Sequence, residues 1–548
     1  MEMMFQRIMF ILVLWPSSTL QVSDNSSLTY VAGIVEYSPV VTSPNEENLG
    51  ELNAKNYLKI LATAITYNVD IIVFPESSLS ISTAKNETVR RSQGASYIPD
   101  PADKISPCDD KSESYEYSLK AISCAAKEYQ IYVLINHREK VNCTFGQGCP
   151  TDGFLIYNTN VAFDRKGKVI ARYRKYNLFG EYEKNISEAI PTTFDTDFGV
   201  TFGTFICFDI LFQKPTLNLT HDLKVTDILY STHWFSEMPY LYAIEAQAAW
   251  AYANDVNFLA SSYNYPKTAS GGAGIYIGKQ GHVAVISENK RSNILVVAEV
   301  PKVINGKRTQ NVNRDSVQIY EFSNEEISTS ENANDQEWRY ITDDLSVYST
   351  ELIDIKQRNY NKTICDRGFC CNFKVEIAFD ETSTKNNSNY YHYRFAVFNG
   401  TRTFNGVATG GIKTCGIIAC INDTLNSCGH LFDIKTITPI AFTTLEISSF
   451  NKTNENIFFM PITLYMPITS QKLVPLNVTD FTFISTNPGQ YSTYHMALTK
   501  PVNNLQTFAI YGRDFSKDGT EITPNNSNIL TISPVLLLAI IVVNYSFF

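Results

Sequence analysis

The sequence predicts a layered α/β domain followed by a smaller, β-rich domain stapled by disulfides. Residues 28 to about 300 alternate between β-rich runs and helical patterns. Residues 347–520 show short Thr-, Phe- and Tyr-rich runs broken by Asn, Gly and Pro, with little helical periodicity. The 11 cysteines form two clusters, at 108–149 and 365–428, with Cys207 alone between them. At 548 residues the chain is also longer than one ordinary core accommodates.

In order, residues 30–37 read as a strand and Glu51 to Asn68 as a helix with Leu58, Leu61 and Ile65 on one apolar face. Residues 71–74 read as a buried strand ending at Pro75-Glu76. A helix over Tyr115 to Tyr129 leads into the strand 131–135. Strands at 154–163 and 169–173 flank the turn signal AspArgLysGly. Strands at 200–208 and 227–232 come next, then a helix from Pro239 to about Ala253 and a strand at 256–260. Runs at 273–277, 283–287 and 294–300 complete the first domain, 28–320. The acidic stretch 321–346 reads as a linker. No repeat of fixed period is visible.

The ends carry addresses. Arg7 and the apolar run Ile8 to Trp15 read as a signal peptide over 1–23, too short to span a bilayer. Residues 521–548 end in an uncharged apolar tail with small residues upstream (Asp518 to Thr520, or Asn526 to Asn528), the layout of a GPI signal. A tail anchor and a buried strand are the alternatives. Sequons at Asn25, Asn86, Asn142, Asn185, Asn218, Asn361, Asn386, Asn399, Asn422, Asn451 and Asn477 predict a glycosylated exterior. A net charge of -10 and the lack of a basic cluster exclude nucleic acid as the main partner.

In an exported chain, Cys108, Cys124, Cys143 and Cys149 can close on one another. So can Cys365, Cys370, Cys371, Cys415, Cys420 and Cys428, with the adjacent Cys370 and Cys371 taking different partners. The connectivity stays open at this stage. A zinc site is disfavoured because no finger-like Cys pair occurs and the 7 histidines are scattered. The odd count leaves Cys207 as a thiol.

Glu76, Lys175 and Cys207 each stand where a β-rich run ends, and strand ends in a layered α/β domain converge on one crevice. Singly, each has an ordinary structural use: buried small hydrophobe, capping carboxylate, solvated lysine. Together they make a nucleophile, a base for its proton and a cation that favours thiolate and oxyanion.

Their contexts, PhePro-Glu76, TyrArg-Lys175-TyrAsnLeuPhe and Ile-Cys207-PheAspIle, resemble the nitrilase superfamily in its own motif order. Residues 175–181, 207–212, 238–245 and 249–260, with Cys365-x4-Cys370-Cys371, resemble its vanin and biotinidase branch, from about 28 to about 520. The resemblance implies an αββα sandwich followed by a vanin-type base domain over 347–520. It implies Glu76 as general base, Lys175 as oxyanion stabiliser and proton donor, and Cys207 as nucleophile. Glu181 supports the lysine and the Phe208 backbone N–H completes the oxyanion hole.

The implied reaction hydrolyses a small linear amide through a thioester, without metal or cofactor, and pantetheine is the favoured substrate. Biotinyl amides are the enzymatic alternative. An inactive surface glycoprotein is the alternative of another class. Departures from the vanin pattern fall in the stretch after Phe179 and in the loop 269–274, and Trp234 is a candidate pocket residue. The implied location is the cell surface through a GPI anchor, or the extracellular medium, with oligomeric state open.

Overall fold

The computed structural model describes residues 22–522 apart from 43–47, 82–85, 113, 145, 147, 330–339, 386–388, 433–435, 454, 471 and 488. The run Ile8–Trp15, the tail from residue 523, the sequon at Asn386 and the centre of the expected linker lie outside the described residues.

The chain opens with β1 (Thr29–Tyr37), α1 (Leu49–Ala64), β2 (Ile71–Val73), α2 (Glu87–Ser92) and α3 (Tyr117–Tyr129). Next come β3 (Tyr132–Asn142), β4 (Phe154–Phe163), β5 (Val169–Arg174), β6 (Thr192–Asp195) and β7 (Thr201–Ile206). They are followed by β8 (Asp227–Thr232), β9 (Glu237–Met238), α4 (Ala243–Asn254) and β10 (Asn257–Tyr263). β11 (Ala273–Ile277), β12 (His282–Ile286), β13 (Ile294–Pro301), β14 (Val303–Ile304), β15 (Lys307–Arg308) and β16 (Gln318–Glu321) complete this half.

Thirteen of these strands form one hydrogen-bonded sheet that divides into two layers at β1. One layer runs β5-β4-β3-β2-β1-β13-β16 and the other β6-β7-β8-β10-β11-β12. They meet where Glu36 and Tyr37 pair with Ser262 and Tyr263 of β10. Period-two alternation explains the layering. Tyr30, Ala32 and Ile34 face Leu229, Leu259 and Ile275 between the layers. Val35, Tyr37, Ile72 and Phe74 instead face α1 and α3. Helix α1 starts at its Asn48 cap, whose side chain accepts from the Gly50 and Glu51 amides.

Some sequence expectations shift. Leu58 and Ile65 are only half-buried, and the face of α1 that packs inward is Tyr57, Ile60, Leu61 and Ala64. The helix expected from Pro239 starts at Ala243, because residues 239–242 turn back and Leu241 still pairs with Glu237. Cys207 does not continue a strand, since β7 ends at Ile206.

Among the described residues, the second half is antiparallel apart from a short parallel strand, β17 (Ile341–Thr342), which pairs with β9. It contains β18 (Ser349–Leu352), β19 (Asn359–Asp366), β20 (Phe369–Phe379), β21 (His392–Phe404), β22 (Ala408–Cys420) and β23 (Ile440–Lys452). β24 (Ile457–Tyr465), β25 (Phe481–Thr486), β26 (Tyr491–Leu498), β27 (Val502–Asn503) and β28 (Leu505–Asp514) follow. A five-stranded sheet, β18-β21-β22-β28-β24, stacks on a six-stranded one built on β19-β20-β23-β26-β25. Phe373, Phe395, Ile417, Ile447 and Ile510 fill the space between them. The outer face of the five-stranded sheet buries Ala396, Phe398, Met460, Ile462 and Tyr511 in one cluster with Trp250 of α4. Helix α4 is therefore covered on both sides, which suits its apolar sequence AlaIleGluAlaGlnAlaAlaTrp.

Five disulfides close within their sequence clusters: 108–124, 143–149, 365–370, 371–415 and 420–428. Cys371–Cys415 joins β20 of one sheet to β22 of the other, and both residues are fully buried. Replacing the pair by alanines is expected to destabilise the second domain by about 2–4 kcal/mol. Denaturant unfolding followed by near-UV circular dichroism checks this.

Candidate active site

β3, β2, β1, β10, β8 and β7 pair in that order and run parallel to one another, so their C-terminal ends share one edge of the sandwich. Glu76 leaves β2 there, Lys175 leaves β5, and Cys207 leaves β7. The layers are tied together beneath them: Asn160 Nδ2 donates to Thr204 Oγ1 (2.8 Å), and Ser231 Oγ donates to the Phe74 carbonyl (2.8 Å).

Cys207 opens a short 3-10 turn, Cys207–Leu211, with φ +46, a left-handed conformation that costs about 1–3 kcal/mol outside glycine. Surrounding bonds hold it. Asp209 Oδ2 accepts from the Ile206 amide (3.1 Å) and the Tyr173 hydroxyl (2.7 Å), and its Oδ1 accepts from the Asn177 amide (2.9 Å). The Tyr230 hydroxyl donates to the Cys207 carbonyl (2.9 Å). This turn aims the thiol into the crevice, where the Cys207 Sγ–H reaches the His233 carbonyl at 3.5 Å.

The same residue holds the carboxylate. The His233 amide donates to Glu76 Oε2 (2.8 Å). Glu76 Oε1 accepts from Lys175 Nζ (2.7 Å) and Asn158 Nδ2 (2.7 Å). Glu76 and Cys207 are thus bonded to the two ends of one residue. Lys175 Nζ also meets Glu181 Oε2 at 2.9 Å, and Glu181 Oε1 meets Lys184 Nζ at 2.9 Å. Asn158 Nδ2 spans both carboxylates, lying 2.5 Å from Glu181 Oε1. Two carboxylates and two ammonium groups alternate, so buried charge is balanced.

Electrostatics set the resting protonation. Burial alone would lower the Lys175 pKa, but Glu181 and Glu76 outweigh it and hold the ammonium well above its usual value. Glu181 is held low despite its burial by Lys175 and Lys184. The Cys207 thiol is pushed up, first by burial and then by the Glu76 charge, and Lys175 only partly opposes this. The ammonium does favour the thiolate, as expected, but burial and the Glu76 charge outweigh it. A thiol so placed resists ionisation. Burial lowers His233 to about 4, leaving a neutral imidazole stacked on Tyr263 at 3.9 Å.

The thiol opens into a cavity of about 30 Å³ lined by Phe179, Phe208, Trp234, Phe235, Phe404 and Asn405 among others. Trp234 is both pocket wall and packed core: it is buried, and its Nε1 donates to the Leu241 carbonyl (2.9 Å). Phe208, next to Cys207, packs edge-on against Phe179 and Phe404. Ile341, from the end of the expected linker, also lines the cavity.

The glycine-rich loop 269–274 lies behind this wall, and Ser270 bridges Phe235. Gly272 N–H points at Glu36, whose Oε1 also accepts from Asn264 Nδ2 (2.9 Å). Burial pushes Glu36 up to about 8, and nearby Glu288 adds to the rise. A raised carboxyl contributes stability that is fully present below its unfolded value of 4.5 and lost as pH rises through about 8. Glu36→Gln is expected to remove that decline, measured as denaturation midpoints from pH 5 to 9.

Sequence reasoning missed Asn158, Asn136 and His233. Asn136 Oδ1 accepts from the Ser77 amide (2.9 Å), fixing the backbone after Glu76, and its Nδ2 donates to Asn158 Oδ1 (2.7 Å). The signal was present: asparagines at 136, 158 and 160 sit inside apolar strands, where Asn is depleted.

Among the sequons, Asn25, Asn86, Asn142, Asn361, Asn422 and Asn477 are exposed, and Asn185, Asn218 and Asn399 are half-buried. Asn451 is a correction. It is buried, its Oδ1 accepts from Lys413 Nζ (2.7 Å) and its Nδ2 donates to the Lys452 carbonyl (3.1 Å), so the folded chain leaves no place for a glycan there. Among the described residues no cluster of His, Cys, Asp and Glu is placed to hold a metal ion.

Residues 40–305 match the family model for carbon-nitrogen hydrolases and residues 339–518 that for the vanin C-terminal domain. The chain is 33% identical over 533 residues to vanin-like protein 1 of Drosophila melanogaster, covering 94% of this chain and 90% of the relative. It is 32% identical over 512 residues to vanin-like protein 2 of the same organism, covering 90% of each. Against the pantetheinase of Homo sapiens it is 29% identical over 531 residues, 94% of each chain.

Proposed function

Since this chain belongs to the vanin branch of the carbon-nitrogen hydrolases and is a hydrolase acting on amides, we propose that it cleaves pantetheine to pantothenate and cysteamine at Cys207. One observation carries the chemical part: Cys207 and Glu76 are bonded to opposite ends of His233, and Lys175 bonds Glu76. The substrate part is supported by the pantetheinases among the relatives.

In the proposed cycle Glu76 takes the thiol proton as Sγ attacks the amide carbonyl carbon. The carbonyl oxygen becomes an oxyanion stabilised by Lys175 Nζ and the Phe208 backbone N–H, with Glu181 holding the lysine. The C–N bond breaks, the amine leaves with the proton Glu76 had taken, and a thioester remains. Glu76 then removes a proton from water, whose oxygen attacks the thioester. Collapse of that adduct releases the acid, and the departing sulfur recovers the proton.

Five disulfides support an oxidising, extracytoplasmic location. We place the protein on the cell surface through a GPI anchor signalled by its C-terminal tail; release by a phosphatidylinositol-specific phospholipase C tests this. For the activity, protein expressed through a secretory pathway is assayed on pantetheine and biotinyl-lysine in parallel. Preferential release of cysteamine supports the reading. Preference for the biotinyl amide would replace pantetheine as substrate, and no release of amine from either would sink it.

A further inference from the structure

We propose that the tip of the β21–β22 hairpin, and Asn405 in particular, selects the substrate chain at the catalytic pocket, so that the second domain completes the active site. The inference rests on amide hydrolysis at Cys207 and not on pantetheine being the amide.

Phe404 and Asn405 belong to the second domain, yet both line the cavity into which Cys207 opens. The tip is built for that position. Asn405 and Gly406 adopt φ +48 and +71, and the Val407 amide closes the turn on the Phe404 carbonyl (2.9 Å). Two buried arginines then fix the hairpin against the nucleophile's turn. Arg513 of β28 is 1% exposed; its Nε donates to the Leu211 carbonyl (2.8 Å) at the end of the Cys207 turn. The same guanidinium bonds the Gly411 carbonyl, pairs with Asp518 and lies 5.2 Å from the Phe404 ring centroid. Arg402 lies 5.1 Å from that ring, pairing with Asp343 at 2.9 Å and with Glu237. Phe404 in turn meets Phe208 edge-on at 5.6 Å.

The chemistry of the wall follows. Among the described lining residues, most are apolar; Trp234 spends its N–H on Leu241, and Glu237 is paired with Arg402. Asn405, exposed at the tip, is the neutral amide residue among those lining the cavity. A neutral donor and acceptor suits a substrate whose chain carries amide or hydroxyl groups rather than charge.

Two variants test this without straining the turn. Asn405→Gly tolerates positive φ and removes the amide, and Asn405→Asp keeps the shape but replaces the donors with an acceptor. Each is assayed with pantetheine and with N-acetylcysteamine, which has the same leaving amine but no polar acyl chain. Both variants are expected to raise KM for pantetheine about tenfold with kcat within about twofold, and to leave kcat/KM for N-acetylcysteamine unchanged. No change on either amide, or equal losses on both, overturns the proposal. Failure of the pantetheine reading looks different: the wild type itself then prefers another amide, and the same KM comparison is made on that one.

Discussion

Cys207→Ala is expected to lower kcat/KM for amide hydrolysis by about 10⁴-fold or more, while the thermal midpoint stays near the wild type's. The size follows from the role proposed for it: a nucleophile that forms the covalent intermediate has no substitute, and removing one member of such a unit costs nearly as much as removing all. The fold should tolerate the change because the thiol makes one long bond, to the His233 carbonyl, and the turn is held instead by Asp209, Tyr173 and Tyr230. Cys207 is the free cysteine beside five disulfides, so no bridge is lost. Steady-state kinetics with a thermal melt separates loss of chemistry from loss of fold.

Lys175→Met combines two large effects. Activity is expected to fall by about 10²–10³-fold from loss of the proposed oxyanion donor. Stability is expected to fall by about 3–5 kcal/mol, because the substitution leaves Glu76 and Glu181 facing each other without the cation between them. The pH dependence distinguishes this from a packing defect. In the wild type, Glu181 is held low, so its contribution is present above the unfolded carboxyl's 4.5 and lost as pH falls through the depressed folded value. Without Lys175 the carboxylates repel, the folded pKa of Glu181 rises, and stability is lost as pH rises instead. Thermal midpoints from pH 4 to 8 should therefore show the variant closest to wild type at the acid end. A uniform offset at every pH would contradict the charge-balance account.

Much of this was legible along the chain, for a physical reason. Glu76, Lys175 and Cys207 each end an apolar β-rich run, and parallel strands in one sandwich bring such ends to one edge. Cysteine clustering was equally readable, since all five bridges close over short or moderate separations within their own groups. Less legible was whatever depends on pairing across layers. The contact of Asn158 with Glu76 spans 82 residues, and His233 acts through its backbone, which residue type does not reveal. The resting state of Cys207 depended on burial outweighing Lys175, a balance that spacing does not encode. Arg513 lies 302 residues from the carbonyl it bonds and reads in sequence as one more charged strand residue. Its contribution exists only because the second domain's sheet packs on the first.

The account centres on an acyl group carried by Cys207. The most direct test is acid quenching of the wild-type enzyme during turnover with pantetheine, followed by mass spectrometry of its peptides. The account predicts a pantothenoyl thioester on the peptide containing Cys207 that disappears once substrate is exhausted. Turnover that proceeds while this peptide stays unmodified, or with Cys207 held in a disulfide, would contradict it.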